Sequence, residues 1–224
     1  MLLKTKSIAL SYIDYRETSI IAKIYTEKLG LQSYIVNGVR NNKAKFKLAL
    51  FQPLTLLDMV VYYKQGRNLN RISELKCYYP YRSIPYQQKK ITIAFFIGEI
   101  LSKTLREEVA DENLFVFLEN AMHMLDNCMT SYENFHLWFL VKLSGHLGFM
   151  PESVERVFKD AHVAGTEEDL HLMAQFMQEE YPIHISIKND ARRHILKALI
   201  NYYKWHIPGM NEIHSVNILH EVLS

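Results

Sequence analysis

Residues 18–38 read TSIIAKIYTEKLGLQSYIVNG and decide the fold, because they contain two strand patterns joined by a turn. The first pattern, residues 18–26, is rich in β-branched side chains, which favour extended backbone. Lys28-Leu29-Gly30 predicts the turn, since glycine readily adopts the positive φ that tight hairpins need. Residues 31–37 are the second strand, which Asn37-Gly38 ends. The segment therefore predicts an antiparallel β-hairpin.

The flanking segments extend this hairpin into a barrel. On its N-terminal side, residues 7–13 alternate, with Ile8, Leu10 and Tyr12 on one face, and residues 14–17 are a polar turn. On its C-terminal side the sequence predicts, in order, a short helix or irregular crossover at 42–51 ended by Pro53, a strand at 54–63, a turn at 64–68 and a strand at 69–76. This is the order of the OB-fold barrel. An SH3-like barrel shares the strand count but usually lacks the connecting helix.

Beyond Tyr78-Tyr79-Pro80-Tyr81 the hydrophobic period becomes helical. Asp111, Thr130-x-x-Glu133 and Thr166-x-x-Asp169 are typical of helix N-termini. Helices are predicted over residues 87–107, 111–127, 130–147, 166–180, 190–206 and 212–223. The fold class is therefore α+β: a five-stranded OB-fold β-barrel over residues 1–80, followed by an all-α helical domain over 81–224.

The charge of the chain divides between these two parts. Residues 1–80 contain 13 Lys and Arg against 5 Asp and Glu, a net charge of +8, whereas residues 81–224 have a net charge of −6. A basic unit attracts polyanions over about a Debye length. The split indicates two units with different partners.

Several classes of function are disfavoured by the sequence. It has no apparent signal peptide and no apolar run of the roughly 20 residues that a membrane span needs, so we expect a cytoplasmic protein without membrane contact. It has no Gly-rich phosphate loop, H-E-x-x-H motif or nucleophile elbow, and Cys77 and Cys128 belong to no metal-binding pair. A hydrolase with a His/Asp arrangement is a weak hypothesis, because no nucleophile stands beside a base at recognisable spacing. We expect no enzyme, no cofactor and no metal.

The basic residues of the first 80 positions are the candidate nucleic-acid ligands. Lysine and arginine neutralise phosphates, and aromatic rings stack on bases without sequence preference. The candidate DNA-binding set is Arg16, Lys28, Arg40, Lys43, Lys45, Lys47, Lys64, Arg67 and Arg71, with Tyr15 and Tyr34 for stacking. Tyr12 and Phe46 also lie among these cations, but their apolar context favours the core. The alternatives are a merely solvated basic face, or an OB-fold adaptor that binds acidic proteins rather than DNA.

Five short motifs resemble the RecO family of DNA repair proteins. They are Tyr15-Arg16-Glu17-Thr18-Ser19, Tyr25-Thr26-Glu27-Lys28-Leu29-Gly30, Asn37-Gly38-Val39-Arg40 followed by Lys43, Leu50-Phe51-Gln52-Pro53 and, in the helical part, residues 143–151, LSGHLGFMP. The resemblance is strong over residues 1–80 and weaker beyond them. Their order and spacing are more specific than any one motif.

The resemblance implies an OB-fold that binds single- and double-stranded DNA and anneals complementary strands. It also implies a helical domain that docks the C-terminal tail of single-stranded-DNA-binding protein (SSB). Family members work with RecR, and sometimes RecF, to load RecA onto coated single strands. The implied role is recombination mediation in DNA repair, without bond chemistry.

The sequence departs from the family at one place. Many relatives carry four zinc-binding cysteines soon after the Gly-Phe-x-Pro stretch, but residues 151–164 contain no cysteine. Residues 152–158 have a helical pattern instead. A zinc module is therefore not expected.

An acidic tail needs an apolar pocket with a cationic rim. Residues 89–106 and 192–204 supply both kinds of side chain, although each could equally belong to an ordinary helix-packing face with exposed charges. The candidate partner-binding residues are Lys89, Lys90, Phe95, Arg106, Arg193 and Lys197.

Overall fold

The computed structural model describes residues 1–39, 46–64, 66–105, 110–180 and 185–223. Its strands are β1 (Leu2–Tyr15), β2 (Ser19–Thr26), β3 (Gly30–Val36), β4 (Leu56–Tyr62) and β5 (Asn70–Tyr79). Its α-helices are α1 (Gln88–Thr104), α2 (Glu112–Asn127), α3 (Phe135–His146), α4 (Val154–Asp160), α5 (Glu167–Gln178), α6 (Asn189–His206) and α7 (Ser215–Val222). Two short 3-10 helices span Leu48–Phe51 and Ile84–Tyr86.

The five strands close into a barrel in the order β1-β2-β3-β5-β4. Neighbouring strands are antiparallel except β3 and β5, which are parallel. The first half of β1 pairs with β4 and its second half with β2, so this one long strand closes the barrel and leaves no free edge. The OB-fold predicted from the order of elements is confirmed.

A β-bulge decides which side chains of β1 enter the barrel. The pairing with β2 shifts between Ala9 and Ser11, which places Ala9 and Tyr12 on the inner side. The bulge therefore divides the predicted face of Ile8, Leu10 and Tyr12, and of the three only Tyr12 packs against the apolar cluster of the barrel. Ile8 and Leu10 are buried, but they lie outside the cluster of apolar side chains in the barrel. Simple alternation cannot anticipate the extra residue of a bulge.

The crossover between β3 and β4 contains a single helical turn. Leu48–Phe51 is a 3-10 helix, and Phe51 is fully buried in the barrel cluster. Leu48 and Leu50 pack against the same cluster. The predicted crossover of residues 42–51 is thus helical at 48–51, and residues 40–45 lie outside the described residues.

The described chain forms two compact units. One consists of residues 1–82 and 97–122, and the other of residues 83–96 and 123–224. The boundary between the units therefore falls once within α1 and once within α2. The division at 80/81 stays a prediction. Among the described residues no helix is both long and apolar enough to cross a membrane.

The predicted helix N-termini had different outcomes. Thr166 and Asp169 form a complete capping box at α5, and the Asp111 carboxylate accepts the amide proton of Leu114 at 2.9 Å. The capping box predicted at Thr130 and Glu133 is wrong, because α3 begins only at Phe135. Glu133 instead pairs with Lys89 at 3.2 Å.

Candidate nucleic-acid interface

Three chain turns lie beside the C-terminal half of β3. Residues 16–18 join β1 to β2, residues 37–39 leave β3, and the turn that begins at Tyr63 joins β4 to β5. The cross-strand pairs that bring them together are Tyr15–Ser19, Ile20–Val36, Ile35–Arg71 and Tyr62–Arg71. Because β5 is parallel to β3, the β4–β5 turn approaches this region from the side of the β2–β3 hairpin, and the β1–β2 turn approaches it from the other side. We call the surface around the C-terminal end of β3, with the residues Tyr15, Arg16, Lys64, Arg67 and Arg71, the basic end.

The first turn presents a cation beside an aromatic ring. Arg16 is exposed, and its guanidinium carbon lies 5.2 Å from the ring centroid of the half-buried Tyr15. Arg16 has a φ of 56°, in the left-handed region that non-glycine residues rarely adopt. This backbone turns the chain sharply after β1 and fixes Arg16 at the basic end.

The β4–β5 turn contributes three further cations. Lys64, Arg67 and Arg71 are all exposed. The amide of Arg67 donates to the carbonyl of Lys64 at 3.3 Å, and Gly66 has a φ of 75°, which suits glycine. The closed turn thus holds Lys64 and Arg67 close to Arg71 at the start of β5. Sequence reasoning placed these three cations together, and the structure places Arg71 beside Ile35 of β3, the strand next to β2, which follows the turn that contains Arg16.

Other predicted ligands are not brought to this end. Lys28 is exposed in the β2–β3 hairpin, whose Thr26–Gly30 pair closes the opposite end of the β2–β3 ladder. Lys47 is exposed before the 3-10 helix, and no strand pair places it at the basic end. Arg40, Lys43 and Lys45 lie outside the described residues, as does Gln65 within the β4–β5 turn.

Tyr34 corrects the sequence analysis. Its side chain is fully buried within the barrel cluster, and burial raises the pKa of its hydroxyl well above the usual value. An enclosed ring cannot stack on a base, so Tyr34 is a core residue. Tyr12 and Phe46 pack partly buried against the same cluster, as their apolar context favoured.

Sequence reasoning missed Tyr62. This residue ends β4 and pairs with Arg71 on β5 and Leu2 on β1. Its neighbours Met59 and Val61 point into the barrel, whereas Tyr62 is 51% exposed. The alternation of residues 57–62 indicates that Tyr62 faces outward, but only once the inner face of β4 is known.

Lys90 is a second correction, in the other unit. It is fully buried, and its ammonium donates to the hydroxyl of Ser83 at 2.6 Å and to the carbonyls of Asp126 and Cys128 at 3.1 and 2.5 Å. It also lies 4.9 Å from the ring centroid of Tyr132. Because all of its donors point inward, Lys90 is unavailable to a partner protein.

The remaining docking candidates from residues 89–106 differ in their exposure and partners. Lys89 is half-buried and pairs with Glu133, while Phe95 is 48% exposed. Arg106 lies outside the described residues. Neither Lys89 nor Phe95 is among the residues that line the cleft described next.

Arg193 and Lys197, in contrast, line a cleft between α6 and α7. The cleft has a volume of about 550 Å³. Its apolar residues are Ile200, Ile213 and Val216, and its basic or titratable residues are Arg193, His194, Lys197, Lys204, His214 and His220. Glu212 is the acidic residue among those that line it. Burial, and then the nearby charge of Arg193, lower the pKa of His220 and favour its neutral form. This is an apolar cleft with a cationic rim.

The residues after α3 do not fit a cysteine-ligated zinc ion. Pro151 is followed by α4, which the helical pattern of residues 152–158 predicted. The N-terminus of α4 is capped by Ser153, whose hydroxyl accepts the amide proton of Arg156 at 3.3 Å. Arg156 and Asp160 pair across one turn of the helix at 2.8 Å. A short ion-paired helix therefore stands where a zinc module would need thiolates.

Comparison with known proteins places both parts of the chain in one family. Residues 1–81 match the family model "Recombination protein O N terminal", and residues 86–212 match "Recombination protein O C terminal". The chain is 36% identical to the DNA repair protein RecO of Flavobacterium psychrophilum and 34% identical to that of Phocaeicola vulgatus, over the full length of each chain. It is 38% identical to RecO of Bacteroides fragilis over 94% of this chain and 85% of that protein. The chain therefore belongs to the RecO family of DNA repair and recombination proteins.

Proposed function

We propose that this chain is a non-catalytic recombination mediator that binds single- and double-stranded DNA and anneals complementary strands. The observation that supports it most strongly is the basic end, where the exposed cations Arg16, Lys64, Arg67 and Arg71 lie in two turns and a strand start that flank the C-terminal half of β3. In this proposal residues 1–80 bind DNA, and residues 81–224 dock protein partners.

The physical basis is charge neutralisation with little sequence preference. Four exposed cations around the C-terminal half of β3 attract a phosphate chain and release its counterions. Tyr15 offers a ring beside Arg16 on which a base can stack. Neither interaction reads base edges, so two different complementary strands can be held in the same way.

The partners follow from the family. We propose that the chain acts with RecR, and in some settings RecF, to load RecA onto single-stranded DNA coated with SSB. The acidic C-terminal tail of SSB would dock in the α6–α7 cleft, because an acidic peptide with apolar side chains needs a cationic rim around an apolar floor.

A strand-annealing assay tests the DNA-binding proposal. In the triple variant Arg16→Glu, Arg67→Glu and Arg71→Glu, each cation at the basic end becomes an anion that repels phosphate. We expect this variant to anneal complementary oligonucleotides at least about tenfold more slowly than the wild-type chain. The control is Lys28→Glu at the opposite end of the hairpin, which should anneal at nearly the wild-type rate. A triple variant that anneals as fast as the wild type contradicts the assignment of the site.

A further inference from the structure

One row of outward-facing side chains crosses all five strands of the barrel. The cross-strand pairs that form it are Ile13–Ile21, Ile21–Ile35, Ile35–Arg71, Arg71–Tyr62 and Tyr62–Leu2. The row begins and ends on β1, eleven positions apart, because closing a barrel staggers its strands. We call these six residues the outer row.

The outer row is apolar and unusually open to solvent. Ile13 is 65% exposed, Leu2 57% and Tyr62 51%, while Ile21 and Ile35 are half-buried. Elsewhere on the outer surface of the same sheet, Tyr25 and Leu31 are buried, and Tyr25 stacks on Phe115 of α2. Helix α2 thus covers the sheet around Tyr25 and leaves the outer row open. Exposed apolar side chains on both sides of Arg71 are typical of a binding site.

The charges around the outer row fit a polyanion. Arg71 lies within the row, between Ile35 and Tyr62, and none of the six residues is acidic. Lys23 lies two residues along β2 from Ile21 on the same outward face. The β4–β5 turn, with Lys64 and Arg67, begins directly after Tyr62. An aromatic ring on an apolar strip flanked by cations is the combination that holds bases and phosphates together.

We propose that the bases of a single DNA strand lie along the outer row. Tyr62 stacks on a base, and Arg71 pairs with a phosphate of the same strand. The inference rests on the proposed DNA binding and assigns the path of the strand over the barrel. The strand leaves the basic end and runs across β3, β5 and β4. Base stacking on Tyr62 adds affinity that phosphate contacts alone do not supply.

The test compares two probes in fluorescence anisotropy with the full chain. One is a labelled oligothymidine of about 15 nucleotides, and the other is an abasic strand with the same number of phosphates. The wild-type chain should bind the oligothymidine more tightly. Tyr62→Leu, which keeps an apolar side chain but removes the ring, should bind the oligothymidine about tenfold more weakly and the abasic strand as the wild type does.

Two controls isolate the ring. Tyr62→Phe retains the aromatic face and should bind both probes like the wild-type chain. Tyr86→Leu removes an 81% exposed tyrosine outside the barrel and should change neither affinity. Thermal unfolding of each variant establishes that it folds.

The possible failures are distinguishable. If the wild-type chain binds neither probe, the proposed DNA-binding function fails and this inference fails with it. If the wild-type chain binds and Tyr62→Leu binds the oligothymidine equally well, the inference alone is overturned. Loss of RecR binding by Tyr62→Leu, with DNA binding unchanged, would also overturn it and assign the outer row to a protein partner.

Discussion

A single buried cation organises the start of the second unit. Lys90 donates to one hydroxyl and two backbone carbonyls, and the carboxylate of Asp126 in turn accepts the amide protons of Ser83 and Ile84 at 2.8 and 3.0 Å. Burial lowers the pKa of Lys90, while the nearby Asp126 opposes the shift. A charge enclosed in this way is tolerated only because its donors are satisfied.

Replacing this residue tests that account. Lys90→Met fills a similar volume but removes the ammonium donor from the hydroxyl oxygen of Ser83 and from the carbonyl of Cys128, while the carbonyl of Asp126 keeps its hydrogen bond from the Ser83 hydroxyl. We expect the free energy of unfolding, measured with urea, to fall by about 3 kcal/mol. The matched control is Lys89→Met, whose lost ion pair with Glu133 is partly exposed and should cost less than about 1 kcal/mol. A loss at Lys90 as small as that at Lys89 would refute a structural role for the buried ammonium.

Single residues show which site assignments a sequence can support. The exposure of Lys64 and Arg67 could be predicted because a turn residue is exposed in almost any strand register. Tyr34 was misassigned because a strand residue changes face with a shift of one position, and its face depends on long-range pairing. Lys90 was misassigned for a related reason, since its partners are 7 to 38 residues away in the chain.

At the scale of elements, the α6–α7 cleft is the feature that bears on partner binding. Arg193 and Lys197 lie one turn apart on α6, and both line the cleft. We expect the double variant Arg193→Glu and Lys197→Glu to bind a labelled peptide of the SSB C-terminal tail at least about tenfold more weakly, because both changes oppose an acidic ligand.

The control for this prediction is Lys188→Glu. Lys188 is exposed at the N-terminus of α6, where an acidic side chain is favourable, and it does not line the cleft. Its peptide affinity, followed by fluorescence anisotropy, should stay near that of the wild-type chain. Equal affinities for all three proteins would exclude this cleft as the docking site.

The elements also show how far local signals reach. Strand order and the capping box of α5 could be predicted because turns, alternation and capping residues act over a few positions. The start of α3 could not, because the preceding Asn134 is held by distant partners: it donates to the carbonyl of Ile185 and accepts from Arg192. The bulge in β1 likewise depends on its pairing with β2.

At the scale of the whole molecule, the two parts of the chain differ in charge and in architecture. Residues 1–80 carry the net charge of +8, and residues 81–224 the net charge of −6. The charge split was visible in the sequence, but the placement of Arg71 beside the end of β3 follows only from closure of the barrel through the β3–β5 pairing. We infer that the cations of the basic end hold a phosphate chain.

The most direct test is the salt dependence of single-stranded DNA binding by the full-length chain, measured by fluorescence anisotropy. We predict that the logarithm of the binding constant falls linearly with the logarithm of the salt concentration. The neutralised variant Arg16→Gln, Arg67→Gln and Arg71→Gln should show a slope shallower by about 2, since each lost phosphate contact on a single strand removes about 0.7. Absence of binding at low salt, or equal slopes for the two proteins, would contradict the account, and absence of binding would favour a protein-binding adaptor instead.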